Sequence, residues 1–385
     1  MARENEVGAA LVLAARYLPE PMDRAARRWV YPAFVAVRNR RIDLSLLKGE
    51  IRGRSATLLV AGRRPWAFDL PRRPFGPGAD EIPLGEVALW KLPSVLEKRL
   101  ADVDMVMARV DKLSTRVLFP TGYLRVPEWI DTVLTVPENL DALVRSNHSL
   151  RQDARLVRNH GFASSISTAS RDFEEFYHSM YLPFVSSRYA ASAWPTNEDS
   201  LRKIFGQGGI IWLAHEGERV SGLLFGISRD VLHIWAEGTR GGDFGVVKKG
   251  AFCALFLQAI RHAGERNCRH VHFGGSKACL SDGLLRYKRK WGVAVQARPE
   301  NQFYTLVRWS AWNDKVAAFL SDAPVLHLQG SGLIVVTAVE RTGSATQADA
   351  ERIYNAVHMP GIHRVVIAHG TDGGPTLHRR LARRW

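Results

Sequence analysis

The sequence predicts an α/β fold with a layered architecture of strands and helices. Short β-branched and aromatic runs alternate with amphipathic helical runs along much of the chain. GGIIWLAHEG followed by ERVSGLLFGISRDVLHIWAEGT reads as a three-stranded meander turning at Glu216-Gly217 and Arg229-Asp230. A glycine-rich loop, TRGGDFGVVKKGA, then leads into a strongly periodic helix and the short apolar strand CRHVHF. Strand, loop, helix and strand in that order make one layer of sheet under one helix.

The chain of 385 residues is long enough for two or three compact units, and 46% hydrophobic residues exclude a disordered protein. With 53 Lys+Arg against 38 Asp+Glu the net charge is +15, which favours polyanionic partners: nucleic acid, nucleotide phosphates or anionic headgroups. Cys253, Cys268 and Cys279 are too few and too irregularly spaced for a disulfide framework or a zinc site, so no metal is expected. The opening MARENEVGAALVLAARYL holds an apolar run broken by Arg16, short of the roughly 20 residues that span a bilayer, and lacks a cleavage signal. The expectation is a soluble cytoplasmic protein without a transmembrane segment, with contact to a membrane surface left open.

Residues 1–44 read as a helical, basic N-terminal segment containing AARRWVYPAFVAVRNRR. Residues 45–135 read as a first, smaller subdomain: strands at SATLLVAG and PWAFDL, a Pro/Gly loop, a helix around LPSVLEKRLADVD, then strands at DMVMARV and TRVLFP. Residues 136–312 form the main domain. Pro137 opens a helix with Leu140, Leu143 and Val144 on its apolar face, and Arg151, Arg155 and Arg158 recur on it as a cationic stripe that Gly161 ends. Such a stripe is either a solvated face or a set of phosphate contacts. Asp172 with Glu175 fits a capping box for the helix whose Phe173, Phe176, Tyr177 and Met180 are core candidates. After the glycine loop, Phe252, Leu255, Phe256, Ala259, Ile260 and Ala263 share one helix face. Residues 313–385 form a small β-α-β-like extension whose last arginines are a solvated end.

Within GGSKACLSDGLLRYKRKWG, a helix at 100° per residue places Leu284, Tyr287, Lys288 and Trp291 in one sector and Arg286, Arg289 and Lys290 on the other side. Three cations therefore suit a solvated face, whereas Lys288 is carried among apolar groups. It either snorkels or meets negative charge, on a phosphate or on the oxyanion of an acyl-transfer intermediate. Ser281 and Asp282 suit capping of the same helix.

From about Tyr123 to Trp312 the chain resembles the FemAB-like branch of the GNAT acyltransferase superfamily. The residues that carry the resemblance are VPEWIDTVLTVPENLDAL, RQDARLVRNHGF, DFEEFYHSMYLPF, VSGLLFGISRDVLHIWAEGT and HVHFGGSKACLSDGLLRYKRKWG. The resemblance implies a GNAT-type mixed sheet in two tandem subdomains, with residues 45–135 an incomplete first copy. It places the family's aromatic-lysine pair, with the aromatic and glycine that follow, on Tyr287, Lys288, Trp291 and Gly292 near acceptor and donor.

The implied activity is transfer of an acyl group from acyl-CoA, acetyl-CoA among them, to an amine of a cell-envelope, polysaccharide or small-metabolite acceptor. Lys288, Tyr287 and Glu237, at the end of the central strand, are the catalytic candidates, with Glu237 as base. Arg240, Gly241, Gly242, Gly245, Lys248, Lys249 and Gly250 are the candidates for donor phosphates, and Arg151, Arg155 and Trp291 for substrate. The segment Arg240 to Gly245, RGGDFG, departs from the family's pyrophosphate motif in having Asp243 where its middle glycine belongs. Two other readings stay open: an aminoacyl-tRNA donor, as in the peptidoglycan-bridge members, and a non-catalytic fold that binds polyanions.

Overall fold

The computed structural model describes residues 36–37, 40–63, 69–189, 196–339, 346–370 and 376–381. Nearly all of the expected basic N-terminal helix, most of the PWAFDL strand and the final four residues lie outside these. In chain order the strands are β1 Arg41–Ile51, β2 Arg54–Ala61, β3 Asp80–Ala88, β4 Met105–Asp111, β5 Leu124–Pro127, β6 Trp129–Thr135, β7 Ala163–Ser167, β8 Gly208–His215, β9 Glu218–Ser228, β10 Val231–Thr239, β11 His270–Lys277, β12 Ala294–Ala297, β13 Phe303–Arg308, β14 Val325–Gln329, β15 Gly332–Ala338, β16 Ile362–His369 and β17 Thr376–Leu381. The helices are α1 Leu92–Arg99, α2 Lys112–Leu118, α3 Leu140–Ser146, α4 His148–His160, α5 Ser170–Glu175, α6 Leu182–Tyr189, α7 Glu198–Phe205, α8 Phe244–Lys248, α9 Ala251–Glu265, α10 Gly283–Arg289, α11 Asp314–Asp322 and α12 Gln347–Val357. The chain is α/β, as the alternation of patterns predicts.

Contacts divide it into two units. The first takes Met1–Ile130, Lys277–Asp282 and Ala297–Trp385; the second takes Asp131–Ser276 and Gly283–Gln296. In the first unit a six-stranded sheet runs β3-β1-β2-β4-β13-β5, antiparallel except for the parallel β2/β4 pair. Its core gathers Ile42, Leu59, Leu92, Leu96, Val106, Val110 and Leu306. A four-stranded sheet, β14-β15-β16-β17, has α12 crossing between parallel β15 and β16. Thr346 and Asp349 close a capping box at the start of α12.

The second unit is built on the sheet β12-β6-β11-β10-β9-β8-β7. β8, β9 and β10 form the expected meander, and its turns place Glu216, Gly217 and Arg229 at positive φ. Helix α9 crosses from β10 to parallel β11 and buries Leu255, Phe256, Ala259, Ile260 and Ala263, the face its periodicity marks. Each unit thus rests on a mixed sheet, the architecture the resemblance implies.

The opposite face of this sheet is packed by Phe173, Phe176, Tyr177 and Met180 against Ile210, Trp212, Leu224 and Ala236. Residues Phe176–Tyr181 between α5 and α6 wind as a π-helix. Its backbone lies directly on Gly238: a Cβ there would stand 2.6 Å from the carbonyl carbon and oxygen of Met180. Backbone gives way less readily than a side-chain tip. We expect Gly238→Ala to destabilise the protein by about 1–3 kcal/mol, read as a lowered urea midpoint; an unchanged midpoint would show that the π-turn does not depend on this close approach.

Four local expectations are corrected. TRVLFP is not a strand but falls largely within α2, because Asp111 caps it by accepting the Ser114 N–H at 2.8 Å, which outweighs the β-branched composition. The single helix expected from Pro137 to Gly161 is two, α3 and α4. Asn147 interrupts it in an extended conformation and caps α4 through the Leu150 N–H. The helix expected to start on an Asp172–Glu175 capping box instead has Ala169 at its N-cap, and the Asp172 carboxylate accepts from Arg219 at 2.9 and 3.2 Å. Arg41–Leu44, counted with the N-terminal helix, begin β1. Among the described residues no helix is long and apolar enough to cross a membrane.

Candidate functional site

In the second unit β10 and β11 pair only at Val231/His270, Leu232/Val271 and His233/His272, after which the two parallel strands part. Backbone groups facing the opening lose their ladder partners and need others. Two of them are satisfied by Lys288 from α10. Its Nζ donates to Gly275 O at 2.9 Å and to Gly274 O at 3.3 Å, and Thr132 Oγ1 donates to Gly274 O at 2.8 Å. Gly274 holds φ at +74°, and a Cβ on it would sit 3.9 Å from the Lys288 Nζ and 3.5 Å from Ile234 O. Those are ordinary contact distances, so it is the left-handed backbone that calls for glycine here. Lys288 is 3% exposed, so it does not snorkel.

Glu237 reaches the same place through a β-bulge. Ile234 pairs with Phe225 and Ala236 with Leu224, leaving Trp235 as the extra residue. The insertion reverses the phase of the strand. Ala236 packs with Met180 on one face, while Glu237 faces Lys288, which pulls its pKa down against the upward push of burial; burial wins. Tyr287 lies on α10 with its ring 5.8 Å from that of Phe256. Burial first, then Cys253, Asp153 and Glu237, push its phenol well up, so it stays protonated and can donate. The sequence's three catalytic candidates thus come together: a carboxyl with an elevated pKa, a buried ammonium and a neutral phenol.

Among the donor-loop candidates, Arg240 and the Gly245 N–H are already engaged. Arg240 donates from Nε to Arg219 O at 2.7 Å and from its guanidinium to Glu175, which also accepts from Arg219 at 2.8 Å. Asp243 answers its own anomaly: it is the N-cap of α8 and accepts the Gly245 N–H at 2.7 Å, so a carboxylate occupies an amide that a phosphate would use. Gly242, at φ +76°, has no room for a Cβ, which would meet Pro183 O at 2.8 Å. Gly241 also holds positive φ, at +60°. Gly250, at φ +97°, lets Leu156 and Val157 of α4 close over the start of α9. Lys248 and Lys249 are exposed.

Arg151, Arg155 and Arg158 are exposed on α4, as a solvated stripe requires. Arg158 additionally lines a cleft of about 380 Å³ with Phe162, Leu213, Leu257, Gln258 and Arg261. Trp291, a substrate candidate, is fully buried, with its ring against those of Phe256 and Phe273. Lys290, expected on the solvated side, pairs with Asp153 and lies 3.8 Å from the Tyr287 ring centroid. No residue pattern pointed to Asp153, whose partner is 137 positions away.

Sequence reasoning also missed Asp131, His272 and His233, which neighbour one another on β6, β11 and β10. His272 Nε2 lies 3.5 Å from Asp131 Oδ1, and the histidine rings are 5.2 Å apart. Burial, with His272 adding, lowers the His233 pKa against the pull of Asp131. A run of alternating residues on neighbouring strands would have been the only signal. Cys253 is no nucleophile, since burial pushes its thiol up to about 12.

No family model and no curated protein matches the sequence. Similar solved structures include L-PGS from Bacillus licheniformis, at 14% identity over 69% of this chain and 81% of that one, with TM-score 0.34. FemX follows at 12% identity over 67% and 83%, TM-score 0.37. A GCN5-related N-acetyltransferase from Sphaerobacter thermophilus is 14% identical over 69% and 80%, TM-score 0.31.

Proposed function

We propose that the chain is an N-acyltransferase whose chemistry takes place where β10 and β11 part. The observation that carries this reading is the facing of Glu237, its pKa raised by burial, and Lys288, whose ammonium is anchored on the Gly274 and Gly275 carbonyls. An amine attacks an acyl carbonyl only as the free base. Glu237 takes the proton as the C–N bond forms, and the fixed charge of Lys288, with the Tyr287 phenol, stabilises the developing oxyanion. Collapse of the intermediate expels the donor's thiolate or alkoxide. No covalent enzyme intermediate is required, and the buried thiols offer none.

Acyl-CoA is the first donor reading. An aminoacyl ester on tRNA is the second, favoured by one observation: the Asp243 carboxylate on Gly245 N–H and the Glu175 carboxylate on Arg240 leave the glycine loop a poor cradle for pyrophosphate. The two differ in salt response. CoA forms a few phosphate contacts, whereas tRNA lays many phosphates on surfaces such as the Arg151, Arg155, Arg158 stripe. Each neutralised phosphate steepens log affinity against log salt by about 0.7 to 0.9. Binding of acetyl-CoA and of aminoacyl-tRNA measured from low to high salt decides. We expect a shallow CoA response; a tight tRNA complex with a slope of several units, relaxed by Arg151→Ala with Arg155→Ala, would select the second donor. Binding of neither would sink the acyltransferase reading.

A further inference from the structure

The cleft that Arg158 lines belongs wholly to the second unit and reaches β8, with β9 standing between it and β10. It is therefore apart from the place where β10 and β11 part. Two helices leave the space. On α4, Ala154, Val157 and Arg158 stand at i, i+3 and i+4; on α9, Ala254, Leu257, Gln258 and Arg261 stand at i, i+3, i+4 and i+7. Each set shares one helix face, and the alanines are short where a larger side chain would fill the gap. Leu213 of β8, 1% exposed, and Leu257, 7% exposed, supply a buried apolar lining. Val144 of α3 and Phe162 add to it, the Phe162 ring set against His215 with centroids 5.7 Å apart. The volume of about 380 Å³ falls at the small end of the range of about 300–1,000 Å³ that small-molecule sites occupy.

The charged groups of the lining say what it would hold. Arg158 and Arg261 are both exposed, and among the described residues neither guanidinium makes a hydrogen bond or an ion pair. Arg202, Arg219 and Arg240 of the same unit, by contrast, are each bound to carboxylates. Asp141, in the first turn of α3, is the one carboxylate of the lining, so two guanidiniums against it leave a single net positive charge. We infer that the cleft binds a small organic monoanion with an apolar body, a single-chain carboxylate, with its chain on Leu213 and Leu257 and its charge towards Arg158 and Arg261. A guanidinium presents paired N–H donors in the geometry a carboxylate accepts. The apolar lining gains from the water the chain displaces, and the displaced water strengthens the charge pair beside it. A two-chain membrane lipid exceeds this volume. Binding calls on neither Glu237 nor Lys288, so it stands or falls apart from the transfer chemistry.

The test titrates the full chain with octanoate at about pH 8, below its micelle concentration, and reads binding by isothermal calorimetry. We expect one saturable site per chain. Octanol, the same chain without the charge, should bind about tenfold or more weakly, and so should octanoate to the Arg158→Gln/Arg261→Gln double variant. Both positions are exposed, so the variant should keep the wild-type urea midpoint. Hexanoate, two methylenes shorter, should also bind about tenfold more weakly than octanoate. Arg266→Gln, exposed at the end of α9 and outside the lining, should leave the affinity unchanged. Octanol binding as tightly as octanoate, or a double variant with wild-type affinity, overturns the anion site. Equal affinity for hexanoate and octanoate overturns the apolar part. Co-sedimentation with phosphatidylglycerol vesicles, without saturable octanoate binding, would put the anion contact on a membrane-facing surface instead and overturn the cleft.

Discussion

Lys288→Met is expected to lower turnover by about two orders of magnitude or more, the scale of losing one preorganised donor to an oxyanion. Methionine keeps the unbranched stem and removes the charge. The Gly274 and Gly275 carbonyls then lose the donor at 3.3 and 2.9 Å, which costs stability by about 1–3 kcal/mol. The two effects separate in a single experiment. Turnover is measured at a temperature where circular dichroism shows the variant fully folded. A loss that vanishes under those conditions would assign Lys288 a purely structural part. A second signature follows from electrostatics: Glu237 loses the one charge that pulls its pKa down, so the acid limb of any residual activity moves to higher pH.

Glu237→Gln should be as severe for activity and opposite for stability. Loss of a positioned base costs about 10²- to 10⁴-fold in turnover. A carboxyl whose folded pKa is raised contributes stability that is fully present below its unfolded pKa and lost as pH rises through the folded pKa. At neutral pH the wild-type carboxylate is therefore a burden on the fold, and the neutral amide relieves it. The variant should melt at the same temperature as wild type or higher at pH 7–8, with the difference shrinking towards pH 4. An active variant, or one destabilised at pH 7 relative to pH 4, would show that Glu237 is an ordinary strand-end carboxylate.

What the sequence made legible is local. The period of 100° separates Lys288 from Arg286, and the apolar face of α9 lies where its spacing places it. Glu216-Gly217 and Arg229-Asp230 at the two turns mark the meander. What it hid depends on distant partners. Lys290 looks solvated until Asp153 of α4 arrives beside it. Asp172 looks like a cap until Arg219 claims it and holds its carboxyl below the usual range. Asp243 looks incompatible with the loop, yet its role is decided two residues away, at the Gly245 N–H. The same sector that marks Lys288 also holds Trp291, and periodicity alone does not tell a buried support from a lining residue.

The bulge at Trp235 has a consequence for how the protein responds to protons. An alternating reading of residues 231–239 puts His233, Trp235 and Glu237 on one side. His233 and Trp235 do lie together, with ring centroids 6.2 Å apart. The extra residue sends Glu237 through to the other side. The sheet then divides its ionisable groups into two compartments, Asp131, His272 and His233 in one, Glu237 and Lys288 in the other. Histidine charge enters the balance at His233, while the influences on Glu237 are burial and Lys288. The bulge thus sets the imidazole and the carboxyl of one strand on opposite faces of the same sheet, each answering to its own neighbours.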